Sequence, residues 1–219
     1  MTVLPAINVE DEAEAVEALQ AVRDEVTRVH LDVSDGTMTP NRSWRDPARW
    51  QAVAGGIETQ VHLMTRDPES VIEDWLQAGA REIAVHVEAL APESEDGETL
   101  VARLSFLRDA CLAHDARLIV CGAYDVPVRR LLAVRAFADG FLVLGVPPGR
   151  SGQELRPEAL GMARAIREAF EEVPVWFDGG VSAATMPGIA AAGATGVVAS
   201  SAVFGADDPA VALRALQSA

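Results

Sequence analysis

The chain has 219 residues, 49% of them hydrophobic, and a formal charge of −15; that length suits one compact α/β barrel, which needs about 200 residues or more. All 18 basic residues are arginine, which excludes Schiff-base chemistry, since that requires a lysine amine. The acidic balance argues against nucleic acid, whose binding rests on cationic contacts to phosphates, and leaves an anionic substrate to local backbone N–H groups or an arginine.

No apolar run approaches the ~18 residues of a membrane span. The opening MTVLPAINVEDE lacks the basic start of a signal peptide, so a cytoplasmic chain is expected. Cys111 and Cys121 sit in apolar segments and read as reduced, buried hydrophobes.

In chain order, strands are expected at 3–8 (VLPAIN), 27–33 (TRVHLDV), 58–64 (ETQVHLM) and 82–88 (EIAVHVE). Four more follow at 117–122 (RLIVCG), 139–146 (DGFLVLGV), 173–179 (VPVWFDG) and 195–200 (TGVVAS). Several are nearly continuous apolar runs, as for parallel strands buried on both faces. The stretches between them are rich in alanine, leucine and glutamate, with helices expected over Asp11–Glu25, Pro68–Ala78, Glu98–His114 and Pro157–Glu171. Asp67-Pro68 and Asp208-Pro209 read as helix starts. Ala91–Glu98 (APESEDGE) reads as an exposed loop. Eight strands alternating with helices predict a single-domain (β/α)8 TIM barrel in the α/β class. An open doubly wound sheet is the alternative, weakened by the lack of GxGxxG after the first strand.

A βα barrel carries its chemistry at the C-terminal ends of its strands. There the second strand offers His30 and Asp32, two apart and therefore on one face. The third ends at His62, the fourth at His86 and Glu88, the seventh at Asp178. Two imidazoles and two carboxylates at one rim suit a borderline divalent ion such as Zn, Fe, Mn or Co. His86 and Glu88 either orient a ligand from behind or are ordinary hydrogen-bonded strand-end groups. Small residues at Gly149–Gly152, Gly179-Gly180 and Ser200-Ser201 let backbone N–H groups approach an anion, where barrels often hold phosphate.

The segments HLDVSDGTMTPN, VHLM, VHVEA, VPPGRSGQ, WFDGGV and AAGATGVVASSAVFG, taken together and in order, resemble the ribulose-phosphate 3-epimerase family from about Pro5 to Gly205. The resemblance implies interconversion of D-ribulose 5-phosphate and D-xylulose 5-phosphate. It implies one divalent metal ion held by His30, Asp32, His62 and Asp178, with Asp32 and Asp178 also acting as the acid/base pair across an enediolate. It further implies a phosphate seat at Gly149, Arg150, Ser151 and Gly152, at Gly179 and Gly180, and at Ser200 and Ser201.

Departures from the family pattern rewrite the substrate-facing wall. Ser-Ile-Leu-Ser in strand one becomes Ala6-Ile7-Asn8-Val9, so the last hydroxyl is missing at Val9. Of three methionines that cap the metal site, Met64 remains and Ser34 and Leu144 replace the others. Arg150-Ser151 replaces Phe-Gly in the phosphate loop, and Ser200-Ser201 replaces Gly-Ser. Arg150 either offers a bidentate clamp to phosphate or carboxylate or points into solvent. The expected partner is a small phosphorylated sugar, and a homo-oligomer is expected. Two alternatives stand beside the epimerase reading: a sister enzyme acting on another sugar phosphate such as allulose 6-phosphate, and a catalytically weakened sugar-phosphate-binding barrel.

Overall fold

Side chains on each strand alternate between the barrel's inside and its helical coat, and this alternation sorts the sequence into two cores. On β2 (Arg28–Ser34), Val29, Leu31 and Val33 join the large outer cluster, so His30, Asp32 and Ser34 take the opposite face. On β3 (Glu58–Met64), Val61 and Leu63 face outward and Gln60, His62 and Met64 inward. The computed structural model describes residues 1–92 and 97–219; the middle of the loop expected at Ala91–Glu98 therefore lies outside the described residues.

The other strands are β1 (Thr2–Ile7), β4 (Ala80–His86), β5 (Arg117–Ala123), β6 (Gly140–Leu144), β7 (Val175–Asp178) and β8 (Gly196–Ala199). They pair in parallel in sequence order, and β1 also pairs β8, so the sheet closes into a barrel. A helix or helical turn lies between successive strands. The open-sheet alternative is thereby excluded.

The inner cluster is lopsided. Leu4, Ile119, Cys121, Leu142, Leu144, Trp176 and Val198 fill one side with apolar volume, while His30, Gln60, His62, Glu82 and His86 are all buried. Barrel interiors are ordinarily filled by branched aliphatics, so five buried polar side chains from β2, β3 and β4 demand partners.

Local chemistry sets the helix boundaries. Asp208 accepts from the Val211 N–H at 3.0 Å ahead of Pro209, as its sequence position predicts. Asp67 makes no such cap: Pro68–Ser70 is a 3-10 turn, and the α-helix begins at Ile72. The fourth strand stops at His86, two residues short of expectation, because the chain turns at once into the one-turn helix Val87–Leu90. Glu88 consequently sits on that turn and not on the strand.

Candidate metal and substrate site

Register brings the four expected ligands to one place. Asp32 pairs with His62 across β2 and β3, and Asp178 closes β7. One ligand atom from each of His30, Asp32, His62 and Asp178 lies within 4.8 Å of the others. His30 Nε2 stands 3.2 Å from Asp32 Oδ1, and His62 Nδ1 stands 3.1 Å from the same oxygen and 3.7 Å from Asp178 Oδ2. Both imidazoles are fully buried. Two imidazole nitrogens and two carboxylates converging in a buried volume are a donor set that could hold a borderline divalent cation.

The electrostatics of the four groups differ in direction. Burial opposes a charge on His30, but its bond to Asp32 and the carboxylates of Asp32 and Asp178 outweigh burial and raise its pKa to about 9. At His62 burial prevails and lowers the pKa to about 4. Burial, then the neighbouring Asp32 charge, pushes Asp178 up to about 7. Burial pushes Asp32 the same way, yet hydrogen bonds from His30 and His62 hold it well below the usual carboxylate range. Two carboxylates with pKa values driven apart are the pattern of a paired acid and base.

His86 and Glu88 lie behind His62. His62 Nε2 is 2.7 Å from His86 Nε2, and His86 Nδ1 is 2.7 Å from Glu88 Oε1, which also accepts from the Ala123 N–H at 3.2 Å. Burial would raise the Glu88 pKa, but the charge and hydrogen bond of His86 lower it, so Glu88 is an acceptor. His86 Nδ1 then donates to Glu88, and the contact between the two Nε2 atoms turns His62 so that its Nδ1 faces Asp32 and Asp178. Of the two roles open to this pair, the geometry favours orienting a ligand. Cys121 Sγ also lies within 4.8 Å of a ring nitrogen of each of His62 and His86. Two nitrogens bound to one tetrahedral ion stand about 3.4 Å apart at ~2.1 Å bond lengths, so the 2.7 Å separation is a hydrogen bond. Burial raises the Cys121 thiol pKa well above its ordinary value, in keeping with an inert hydrophobe.

A cavity opens above these four side chains at the barrel mouth. Asp32, His62 and Asp178 line it together with Met64, Leu144, Gly149, Arg150, Ser151, Gly152, Gly179, Gly180, Ser200 and Ser201. Sequence reasoning had gathered all of these. Gly149, Gly152, Gly179 and Gly180 have φ of +108°, +77°, +86° and +68°, a region that favours glycine. At Gly180 a Cβ would also stand 2.7 Å from the Leu155 backbone nitrogen. Arg150 is exposed at the cavity edge.

Two expected wall positions lie elsewhere. Ser34 is absent from the cavity lining: it is fully buried, and its Oγ bonds Thr39 Oγ1 at 2.8 Å and the Asn41 carbonyl at 2.9 Å. Val9 packs against the outer core, and the residue lining the cavity there is Asn8, the first after β1. The reason is alternation, since Leu4 and Ala6 already face inward; counting in twos along β1 would have found Asn8.

The profile of the Ribulose-phosphate 3 epimerase family matches residues 2–204. A ribulose-phosphate 3-epimerase of Mycobacterium bovis is 33% identical over 194 residues, covering 86% of this chain and 80% of that protein. One of Treponema pallidum is 33% identical over 80% of this chain and 78% of its own. A cytoplasmic isoform of Oryza sativa is 28% identical over 93% and 86%. Among solved structures, a 3-hexulose-6-phosphate synthase from Salmonella typhimurium superposes with a TM-score of 0.74 at 18% identity, covering 100% of this chain and 97% of that one. An orotidine 5'-monophosphate decarboxylase from Sulfolobus solfataricus superposes with 0.66 at 14%, covering 99% and 95%; at such identities the likeness is one of fold alone. No helix among the described residues is long and apolar enough to cross a membrane. With a matching profile over nearly the whole chain and relatives a third identical, this chain belongs to the ribulose-phosphate 3-epimerase family, an enzyme of the isomerase class.

Proposed function

We propose that the chain epimerises C3 of a ketose phosphate, with D-ribulose 5-phosphate and D-xylulose 5-phosphate as its substrate pair. The observation that carries this reading is the buried convergence of His30, Asp32, His62 and Asp178 beneath a glycine-lined mouth. These four residues would hold one divalent cation, which when bound supplies Lewis-acid polarisation of the C2 carbonyl and so acidifies the C3 proton.

The chain's own residues do the rest. Asp32 and Asp178 come from β2 and β7 and meet across the barrel mouth. One removes the C3 proton, leaving an enediolate, and the other returns a proton to the opposite face, which inverts the centre. The bond from His62 to His86, and from His86 to Glu88, holds the His62 ring in place. Backbone N–H groups of the Gly149–Gly152, Gly179-Gly180 and Ser200-Ser201 turns would receive the phosphate, with Arg150 at the edge. Met64 and Leu144 give the cavity an apolar wall that keeps water from the enediolate.

The test is to load the protein with a divalent metal, supply D-ribulose 5-phosphate and assay D-xylulose 5-phosphate; absence of turnover sinks this substrate. One observation favours a second reading. Asn8 puts a polar amide in the cavity wall where the family pattern has leucine, which suits a ketose phosphate with an additional hydroxyl, such as allulose 6-phosphate. A substrate panel on the same preparation separates the two, and metal uptake with no turnover on any member would leave the sugar-phosphate-binding barrel.

A further inference from the structure

Gln60 and Glu82, buried inside the barrel, form a row that runs from Arg117 at the exposed start of β5 to His30. The strand registers place them side by side: His30 opposite Gln60, Gln60 opposite Glu82, and Glu82 opposite Arg117. Because barrel strands tilt by about 36°, this row climbs from the first residue of β5 toward the mouth. Glu82 is 1% exposed and Gln60 fully buried. Glu82 is ion-paired to Arg28 at 3.6 Å and, more closely, to Arg117. Gln60 Nε2 donates to Glu82 Oε2 at 2.5 Å, and His30 Nδ1 lies 2.7 Å from Gln60 Oε1.

The order of donors along this row has one solution. A carboxylate between two guanidinium groups has only acceptor oxygens to offer. Gln60 must therefore present its NH2 to Glu82, which turns its carbonyl oxygen to His30. That oxygen can only accept, so Nδ1 of His30 carries a proton and donates. The remaining nitrogen, Nε2, is the one 3.2 Å from Asp32, so it is the atom that His30 would give to a cation once the proton it shares with Asp32 is displaced.

We propose that Gln60, held by Glu82 and its arginine partners at the closed end of the barrel, is a positioning residue that fixes His30 in the Nδ1–H tautomer and so sets the affinity of the site for its divalent cation. The proposal rests on the metal-site reading above and adds residues that touch neither substrate nor cation. Outer partners of this type change metal affinity by about 10- to 100-fold when removed. Glu82 acts at one further remove, by denying the Gln60 amide its flipped orientation.

The experiment measures zinc affinity by chelator competition in the wild type, Gln60→Met and Glu82→Gln. It also records the nitrogen-15 NMR signature of the His30 ring in zinc-loaded wild-type protein. Gln60→Met keeps the side-chain length without an acceptor and is expected to weaken zinc binding 10- to 100-fold. Turnover of this variant is expected to return when zinc is raised in proportion, which general damage to the fold would not allow. Glu82→Gln is expected to weaken binding by a smaller factor. In the wild type, His30 is expected to show a protonated Nδ1 and a zinc-bound Nε2. Zinc affinity in Gln60→Met within twofold of wild type, or a protonated Nε2, overturns the proposal. If Gln60→Met does not fold, the wild-type ring signature and Glu82→Gln decide it. A wild type that takes up no zinc is a separate result, since it removes the metal site itself.

Discussion

Asn41 donates its side-chain amide to the Gly149 carbonyl at 2.5 Å, joining the loop after β2 to the glycine-rich loop after β6. The link continues inward: Thr39 donates to Asn41 Oδ1 at 2.6 Å, and Ser34 at the end of β2 bonds both Thr39 and the Asn41 backbone. A barrel strand thus braces the turn that would hold the phosphate, and Gln153 closes that turn by donating to the Pro147 and Arg150 carbonyls.

Removing the brace is expected to weaken phosphate binding without touching the reacting carbon. A part-buried hydrogen bond lost here is worth about 1–2 kcal/mol, or roughly 5- to 30-fold in an equilibrium constant. Asn41→Leu should therefore raise KM for a phosphorylated ketose by that factor and leave kcat within about twofold. Steady-state kinetics check this. A collapse of kcat at unchanged KM would mean that the turn does not seat the phosphate.

Cation binding should be visible as stability. A ligand at 100 times its Kd adds about 2.7 kcal/mol to the folded state, which in a chain of this size raises Tm by about 5–10 °C. Wild-type protein titrated with zinc should show that shift, and a chelator should reverse it. Asp32→Asn and Asp178→Asn should each lose most of the shift and at least ~100-fold in turnover, because each removes both a ligand and a general acid/base. Near-normal turnover in either variant would disprove the two-aspartate assignment.

The barrel and its four converging His and Asp side chains were readable in the sequence for a physical reason. Parallel strands buried on both faces demand apolar runs, and a His or Asp interrupting such a run at its C-terminal end is costly unless it is used. His30 and Asp32, two apart, declared their shared face directly. Gln60 sits two residues before His62 and Glu82 four before His86, so the same rule of twos points to them. Both lie nearer the strand starts, away from the mouth where a βα barrel carries its chemistry, so their position does not mark them. Ser34 was misplaced because its hydroxyl satisfies Thr39 and the Asn41 carbonyl, a loop contact that no spacing within the strand announces. Glu88 fell on a helical turn because β4 ends at His86, and strand propensity alone does not mark that end.

Asp35 ties the loop after β2 to the loop after β3 and carries a pH dependence of predictable sign. Its carboxylate accepts from Thr37 at 2.6 Å and from Thr65 at 2.6 Å. Burial raises its pKa, but these hydrogen bonds outweigh burial and lower it. A depressed folded-state pKa contributes stability that is present above the ordinary carboxylate value, about 3.9, and is lost as pH falls through the folded-state value. Carbon-13 NMR titration should find Asp35 below 3.9 in the wild type and closer to it in Thr65→Val. An ordinary value in the wild type would show that the two loops are not joined through this carboxylate.

Arg150 is the feature that most separates this wall from the family pattern, and its two possible roles predict different kinetics. It stands at the cavity edge beside Gly149 and Ser151, on a protein whose net charge of −15 repels a phosphate dianion. A guanidinium there would supply two N–H donors and local positive charge that backbone amides alone lack. Arg150→Ala should then raise KM for the phosphorylated ketose about tenfold, with a larger effect at low ionic strength because exposed charges are screened by salt. Arg150→Lys keeps the charge without the fork and should recover only part of the loss. The unphosphorylated ketose, which offers no dianion, should be handled equally by wild type and variant. If all three proteins share one KM for the phosphorylated substrate at low salt, Arg150 points into solvent and the seat is made by the backbone alone.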